Sequence, residues 1–274
     1  MRRRASQAFA LLLALLLLPA LGAGCSGSRP GGAGPVTLQI AGSSSMRPVL
    51  DELALAYQAS HANVQFDIRG GGSTLGLEEL QKGSADIAAV SWRAEDATDP
   101  KDVRPTPIAR DGIVLVVHPS NKTAGLTLLQ LRALYRGETL DWAELGGPPG
   151  EPLIISREDG SGDRNAFEAL VMGDDRVTLD ALVMPTAEAV ADYVTQHPAA
   201  IGYASLAQER DDLRILPVEG VTPSAEQVDA GTYHLGRLLY LYVKISPSAE
   251  VRSFLDFVRS PAGQAIVARH HAAL

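Results

Sequence analysis

The strongest constraint on this chain is a repeated local order: a short apolar strand, a loop of glycine and serine, then a helix. Residues 36–40 read as a strand and run directly into Gly42-Ser43-Ser44-Ser45. Pro48 then opens a helical pattern carrying Val49, Leu50, Leu53, Leu55, Ala56 and Tyr57. Residues 64–68 alternate as a strand, Gly70-Gly71-Gly72-Ser73 follows, and a helix over 74–82 stops at Gly83. Residues 86–90 form a third strand. Strands alternating with helices at this spacing predict an α/β fold, with mostly parallel sheets joined by right-handed crossovers and flanked by helices.

The second half continues the pattern. Residues 113–117 are an uninterrupted apolar strand ended by His118-Pro119, and 127–135 read as a helix with Thr127 as N-cap. A turn over 146–150 precedes a strand at 153–156. Ser161 then opens a helix bearing Ala166, Phe167, Ala169, Leu170 and Val171. A helix over 186–196, strands at 201–204, 213–218 and 235–243, and closing helices over 247–258 and 261–270 complete the reading. Residues 36–274 suit one large domain or two lobes of ordinary size.

The first 25 residues have a different character. Arg2, Arg3 and Arg4 precede an apolar run over 8–18 that Pro19 ends, and small residues lead to Cys25. That order is a secretory signal peptide, too short in its apolar part to span a bilayer comfortably. Cys25 is the only cysteine, so no intramolecular disulfide forms. Its place after Gly22, Ala23 and Gly24 resembles a bacterial lipobox, which implies lipidation at Cys25 and export to a membrane-anchored site in the periplasm or at the cell surface. Residues 26–35 are almost entirely glycine, serine and proline and read as a flexible tether.

Loss of the three leader arginines takes the formal net charge from −8 to −11. An acidic chain without a basic tract is poorly suited to nucleic acid or to anionic lipid as partner. Any anion it binds is held by a local constellation. Three loops offer one: 42–45, 70–73 and Arg157-Glu158-Asp159-Gly160-Ser161-Gly162. In an open parallel sheet such loops lie at the carboxyl edge, where ligands bind, and each opens a helix whose free amides favour negative charge. Glycine lets backbone approach closely, serine adds uncharged donors, and the Arg157 fork matches two oxygens of one tetrahedral anion. Each loop alone also satisfies ordinary turn chemistry. No P-loop lysine follows any of the glycine runs.

The chain resembles the phosphate-binding proteins of bacterial phosphate ABC transporters, within the type II periplasmic binding protein superfamily. The resemblance runs over 42–48, 70–77, 85–91, 111–119, 126–147, 156–167, 200–206, 231–242 and 254–267. Its most specific stretch is 156–162, supported by Leu129-Gln130-Leu131 with Trp142-Ala143-Glu144-Leu145-Gly146-Gly147. It implies two lobes, 36–110 with 233–274 and 119–232, joined by two crossover strands acting as a hinge that closes on the ligand. It implies ligand contacts at Ser44, Ser45, Ser73, Ser91, Arg157, Ser161 and Gly162. It also implies inorganic phosphate as ligand, ABC permease subunits as partners, a monomer, and no cofactor or metal.

The chain departs from the family pattern at two places. Some members carry an aspartate where this chain has Ser91. The usual threonine after Ser161-Gly162 is Asp163 here. A carboxylate in the site accepts the proton that phosphate still carries near neutral pH and repels sulfate, which carries none. Alternatively, Asp163 caps its helix and faces Arg164 or solvent. Trp92 reads either as packing between the lobes or as a ligand contact. Two other functions stand beside phosphate transport: binding or sensing of another small oxyanion, and serine-dependent hydrolysis of phosphoesters. The hydrolase needs a histidine base beside a serine, yet no Gly-x-Ser-x-Gly elbow is present and the histidines at 61, 118, 197, 234, 270 and 271 mostly precede proline or sit at helix ends.

Overall fold

The computed structural model describes residues 34–93 and 98–274. The leader, Cys25 and nearly all of the tether lie outside the described residues. Strand β1 (Val36–Gly42) buries Leu38, Ile40 and Ala41 and ends in a 3-10 turn at Ser44–Met46. Helix α1 (Arg47–Gln58) follows, with Pro48 in its first turn, where no N–H is needed. Its buried stripe of Val49, Leu50, Leu53, Ala54 and Tyr57 has helical spacing. Strand β2 (Val64–Arg69) lies parallel to β1. Helix α2 (Ser73–Lys82) ends where Gly83 takes φ +77°, a conformation that costs glycine little. Strand β3 (Ile87–Val90) pairs parallel to β1 on its other side, as the strand–loop–helix order predicts.

Strand β4 (Val103–Val117) is longer than the apolar run at 113–117 suggests. Pro105 and Pro107 hide its first half from pattern reading. They are tolerated because that half pairs only with the antiparallel strand β9, and the register shifts between Pro107 and Ala109. Helix α3 (Leu128–Tyr135) starts with a capping box between Thr127 and Gln130. Strand β5 (Leu153–Arg157) leads to α4 (Gly162–Phe167), which continues as a π turn over Glu168–Met172. Then come β6 (Leu182–Met184), α5 (Ala187–Gln196), β7 (Ala200–Ser205), β8 (Arg214–Leu216) and α6 (Ala225–Asp229). Strand β9 (Gly236–Lys244) and helices α7 (Ala249–Arg259) and α8 (Pro261–Val267) close the chain. Strand β6 is three residues long and mostly exposed, too short for a periodic signal.

The strands form the order β2-β1-β3-β9-β4-β7-β5-β6, with β8 also on β4. Pairs β1–β2, β1–β3, β5–β6 and β5–β7 are parallel, whereas β4 and β9 are antiparallel to all their partners. Two large cores lie along this sheet. The first gathers Leu38, Ile40, Leu50, Leu53, Tyr57, Phe254 and Val258. The second gathers Ile113, Leu131, Trp142, Phe167, Tyr203 and Leu216. Strand β4 belongs to the first core at Ile108 and Ala109 and to the second at Ile113, while Leu239 of β9 sits in the first and the preceding Leu235 in the second. Both strands therefore cross from one core to the other. The crossing lies around residues 110–112, just ahead of the apolar run 113–117, and around 236–238, inside the run 235–243.

Candidate functional site

Parallel strands deliver their carboxyl ends to one edge, and here β1, β3 and β5 deliver their last residues to one place. Gly42 ends β1, Ser91 follows β3, and Arg157 ends β5. The approach is tight. A Cβ on Gly42 would run into the Ala89 carbonyl, and one on Gly162 would collide with the hydroxyls of both Ser73 and Ser91. The second and third loops also dock on each other, with the Thr74 N–H donating to Gly160 O at 3.1 Å.

Ser44, Ser45, Ser73, Ser91, Arg157, Ser161 and Asp163 are all buried. Their hydroxyls form a chain: Ser43 Oγ donates to Ser91 Oγ at 2.8 Å, and Ser43 and Ser45 share a 2.8 Å hydrogen bond. Ser73 Oγ accepts from the Ser91 N–H at 3.1 Å. Ser44 Oγ accepts from the Ala187 N–H at 3.2 Å and from Arg157 Nη2 at 3.3 Å. Ser161 stands slightly apart, because its hydroxyl accepts from the Arg164 N–H and so caps α4.

The charged centre is Asp163. Its Oδ2 accepts from Arg157 Nη1 at 3.0 Å. Its Oδ1 lies 2.7 Å from Arg237 Nη2 and accepts from Ser45 Oγ at 3.0 Å and Ser91 Oγ at 3.4 Å. It faces neither Arg164 nor solvent, which removes the cap reading; Ser161 is the N-cap instead. Arg157 also holds Glu158 through Nε and Nη2, at 2.8 and 2.9 Å. Arg237 holds Asp111 through the same two atoms, at 3.0 and 2.8 Å. Burial alone would lower the pKa of either guanidinium, but Asp163 with Glu158 or Asp111 more than reverses this and raises both. Burial likewise pushes the Asp111 carboxyl up, yet Arg237 and His271 hold it well below the ordinary carboxylate range. Asp111 also accepts from Ser205 Oγ and the Leu206 N–H and lies 3.2 Å from His271 Nδ1.

Arg157 is thus not the sole cation of the site; Arg237 is the second. It escaped sequence reading because it sits inside the apolar run 235–243 rather than in a glycine–serine loop. The available signal was a lone arginine in one buried strand and a lone aspartate, Asp111, beside another. Register makes Asp111 and Arg237 direct cross-strand partners between β4 and β9, at the crossing between the two cores. Trp92 packs partly buried against the second core and, with Tyr233, Tyr240 and Arg237, lines a neighbouring cavity of about 430 Å³.

Known proteins share the sequence pattern and the fold. A family profile for a PBP superfamily domain matches residues 28–262. A substrate-binding protein from Clostridium perfringens, assigned to a phosphate ABC transporter and solved with phosphate bound, is 31% identical. Its TM-score is 0.83, and the alignment covers 86% of this chain and 98% of that one. An ABC-type phosphate transport receptor from Vibrio cholerae is 27% identical with TM-score 0.70, covering 85% of this chain and 98% of that one. The phosphate-binding protein PstS of Bacillus subtilis is 26% identical over 227 residues, which is 82% of this chain and 75% of that protein. A two-core α/β protein with its polar loops gathered at one sheet edge is, by fold and by these likenesses, a solute-binding protein. The chain belongs to the PBP superfamily and, within it, to the phosphate-binding proteins of bacterial phosphate ABC transporters.

Proposed function

We propose that the chain captures inorganic phosphate between its two cores, as a monomer, and delivers it to an ABC permease from outside the cytoplasm. The carrying observation is the convergence of Arg157 from β5 and the buried hydroxyls of Ser45 and Ser91, from the ends of β1 and β3, on the Asp163 carboxylate, with Ser44 beside it on Arg157. Donors arranged for one oxyanion group suit another once water is excluded. Ser73, Ser161 and Gly162 frame the same point from the second and third loops, and Asp163 is the acceptor that meets a protonated phosphate oxygen. On this reading residues 36–110 with 233–274 form one lobe and 119–232 the other, with β4 and β9 as the hinge. Lipid on Cys25 holds the protein at a membrane; among the described residues no helix is long and apolar enough to cross one.

Titration calorimetry with inorganic phosphate tests this. Loss of one partner of a buried charge-assisted pair costs about 2–5 kcal/mol, so Arg157→Ala weakens phosphate binding by roughly 30- to 4000-fold. A loss of only a few-fold moves the site elsewhere. Asp163 favours a second reading, capture of a different small oxyanion, and the same titration with sulfate separates the two. Hydrolysis is less well supported. Among the described residues no histidine hydrogen-bonds to Ser43, Ser44 or Ser45, and His271 is engaged with Asp111.

A further inference from the structure

Most described arginines of this acidic chain are paired with a carboxylate, as Arg47 is with Asp51, Arg210 with Asp212 and Arg269 with Glu52. Among the described residues Arg104, Arg176, Arg214, Arg252 and Arg259 are not. Three of these five line one cavity of about 300 Å³, away from the cleft between the cores. Arg252 and Arg259 stand two turns apart on one face of α7, and Arg104 meets them from the first half of β4, where that strand pairs only with β9. All three are exposed. Arg104 and Arg259 make no side-chain hydrogen bond among the described residues, and Arg252 reaches only the Pro247 carbonyl. Asp256 is the one acid in the lining. Pro105 and Pro107, also in the lining, lack the N–H groups an added strand would need, so the guanidiniums are the binding groups.

Guanidinium forks match phosphate oxygens, and three unpaired ones together make a local anion site. The occupant follows from the chain ahead of the fold. Gly34 follows Cys25 by nine residues, and a chain of that length spans at most about 32 Å. Lipid on Cys25 therefore holds the folded residues close to a bilayer. Strand register puts the cavity within the same reach. Arg104 lies opposite Val243, Val243 opposite Ile87 and Ile87 opposite Ile40. Arg104 is thus three strand spacings from β1 and about 20 Å from Val36. We propose that Arg104, Arg252 and Arg259 form a site for the phosphate groups of anionic phospholipids, and that this face of the protein rests on the membrane. The inference rests on the lipid anchor and is independent of the ligand in the cleft. One acyl chain holds a protein at a membrane only marginally, and a basic patch supplies a second attachment. The net negative charge of the chain opposes this at long range, but at about 0.15 M salt charges more than about 8 Å away are largely screened. No basic tract marks the patch in the sequence, because the fold assembles it from β4 and α7.

The test is co-sedimentation of the mature chain carrying Cys25→Ala, and so without lipid, at about 0.15 M salt. One set of vesicles is an equal mixture of phosphatidylglycerol and phosphatidylcholine, the other phosphatidylcholine alone. The chain partitions at least about tenfold better onto the anionic set. Each arginine near such a surface contributes about fivefold, so Arg104→Gln, Arg252→Gln and Arg259→Gln combined abolish the preference. These are exposed positions outside the cleft, and an unchanged phosphate affinity of the triple variant shows that its fold is intact. Equal partitioning onto both sets overturns the inference. So does a preference that survives the triple change, which places the contact on another surface. Soluble glycerol phosphate that binds through the three arginines without any preference for anionic vesicles also overturns it, and makes the cavity a site for free anions. Retention of Cys25→Ala in the membrane fraction of cells removes the anchor reading instead, a result separate from the vesicle preference.

Discussion

Replacing Arg237 by methionine keeps most of the apolar stem and deletes the guanidinium that joins Asp111 to Asp163. Arg237 and Asp111 are fully buried, and Arg237 donates to Asp111 at 3.0 and 2.8 Å. Removing one partner of a buried ion pair costs about 3–5 kcal/mol, because the other charge is left without its counterion. Asp111 keeps Ser205 Oγ, the Leu206 N–H and His271, and Asp163 keeps Arg157, Ser45 and Ser91. These remaining donors place the expected loss at the lower end, about 3 kcal/mol at neutral pH. The pH dependence gives a second handle. In wild type the Asp111 pKa is depressed, so its contribution is present above the unfolded value and is lost as pH falls through the folded one. In the variant the burial effect dominates and raises that pKa, so the folded variant recovers relative stability on acidification. Urea unfolding at neutral pH and about pH 5 should therefore show a gap that narrows at the lower pH. A loss below about 1 kcal/mol at neutral pH, or a gap equal at both, would refute the idea that this ion pair ties the crossing strands.

Gly162→Ala is expected to disrupt the site rather than the fold's cores, since its Cβ would strike the hydroxyls of Ser73 and Ser91. Phosphate titration should show at least about a tenfold loss, and an unchanged affinity would mean the third loop moves freely. Cys25→Ala should shift the protein from membrane to soluble fractions of the producing cell; persistence in the membrane fraction would mean that the leader is retained as an anchor. Phe254→Ala, which opens the contact with Tyr57 at 5.4 Å in the first core, should cost about 3–5 kcal/mol by urea unfolding. A cost under about 1 kcal/mol would show that the site collapses around the missing ring.

Local chemistry made much of this molecule legible. The alternation of apolar strands with glycine–serine loops and helices depends on neighbours within a few residues. The order from β1 through β3, the capping box at Thr127 and the stop at Gly83 were therefore readable from residue type alone. The same holds for Arg157 and the loop hydroxyls, whose place at strand-to-helix loops was readable before the structure brought them together. Two matters needed the tertiary structure. Pro105 and Pro107 argue against a strand unless a bulge and an unpaired edge are at hand, and only the sheet supplies those. Arg237 lies 126 residues from Asp111, and nothing near it in sequence marks it as part of a site. The β4–β9 register sets the two opposite each other, and burial then obliges each charge to find a partner. Asp163 shows the same division. Its sequence position allowed either a helix cap or a site carboxylate. Two arginines brought from strands far apart in the chain decided against the cap, because a buried carboxylate goes where the donors are.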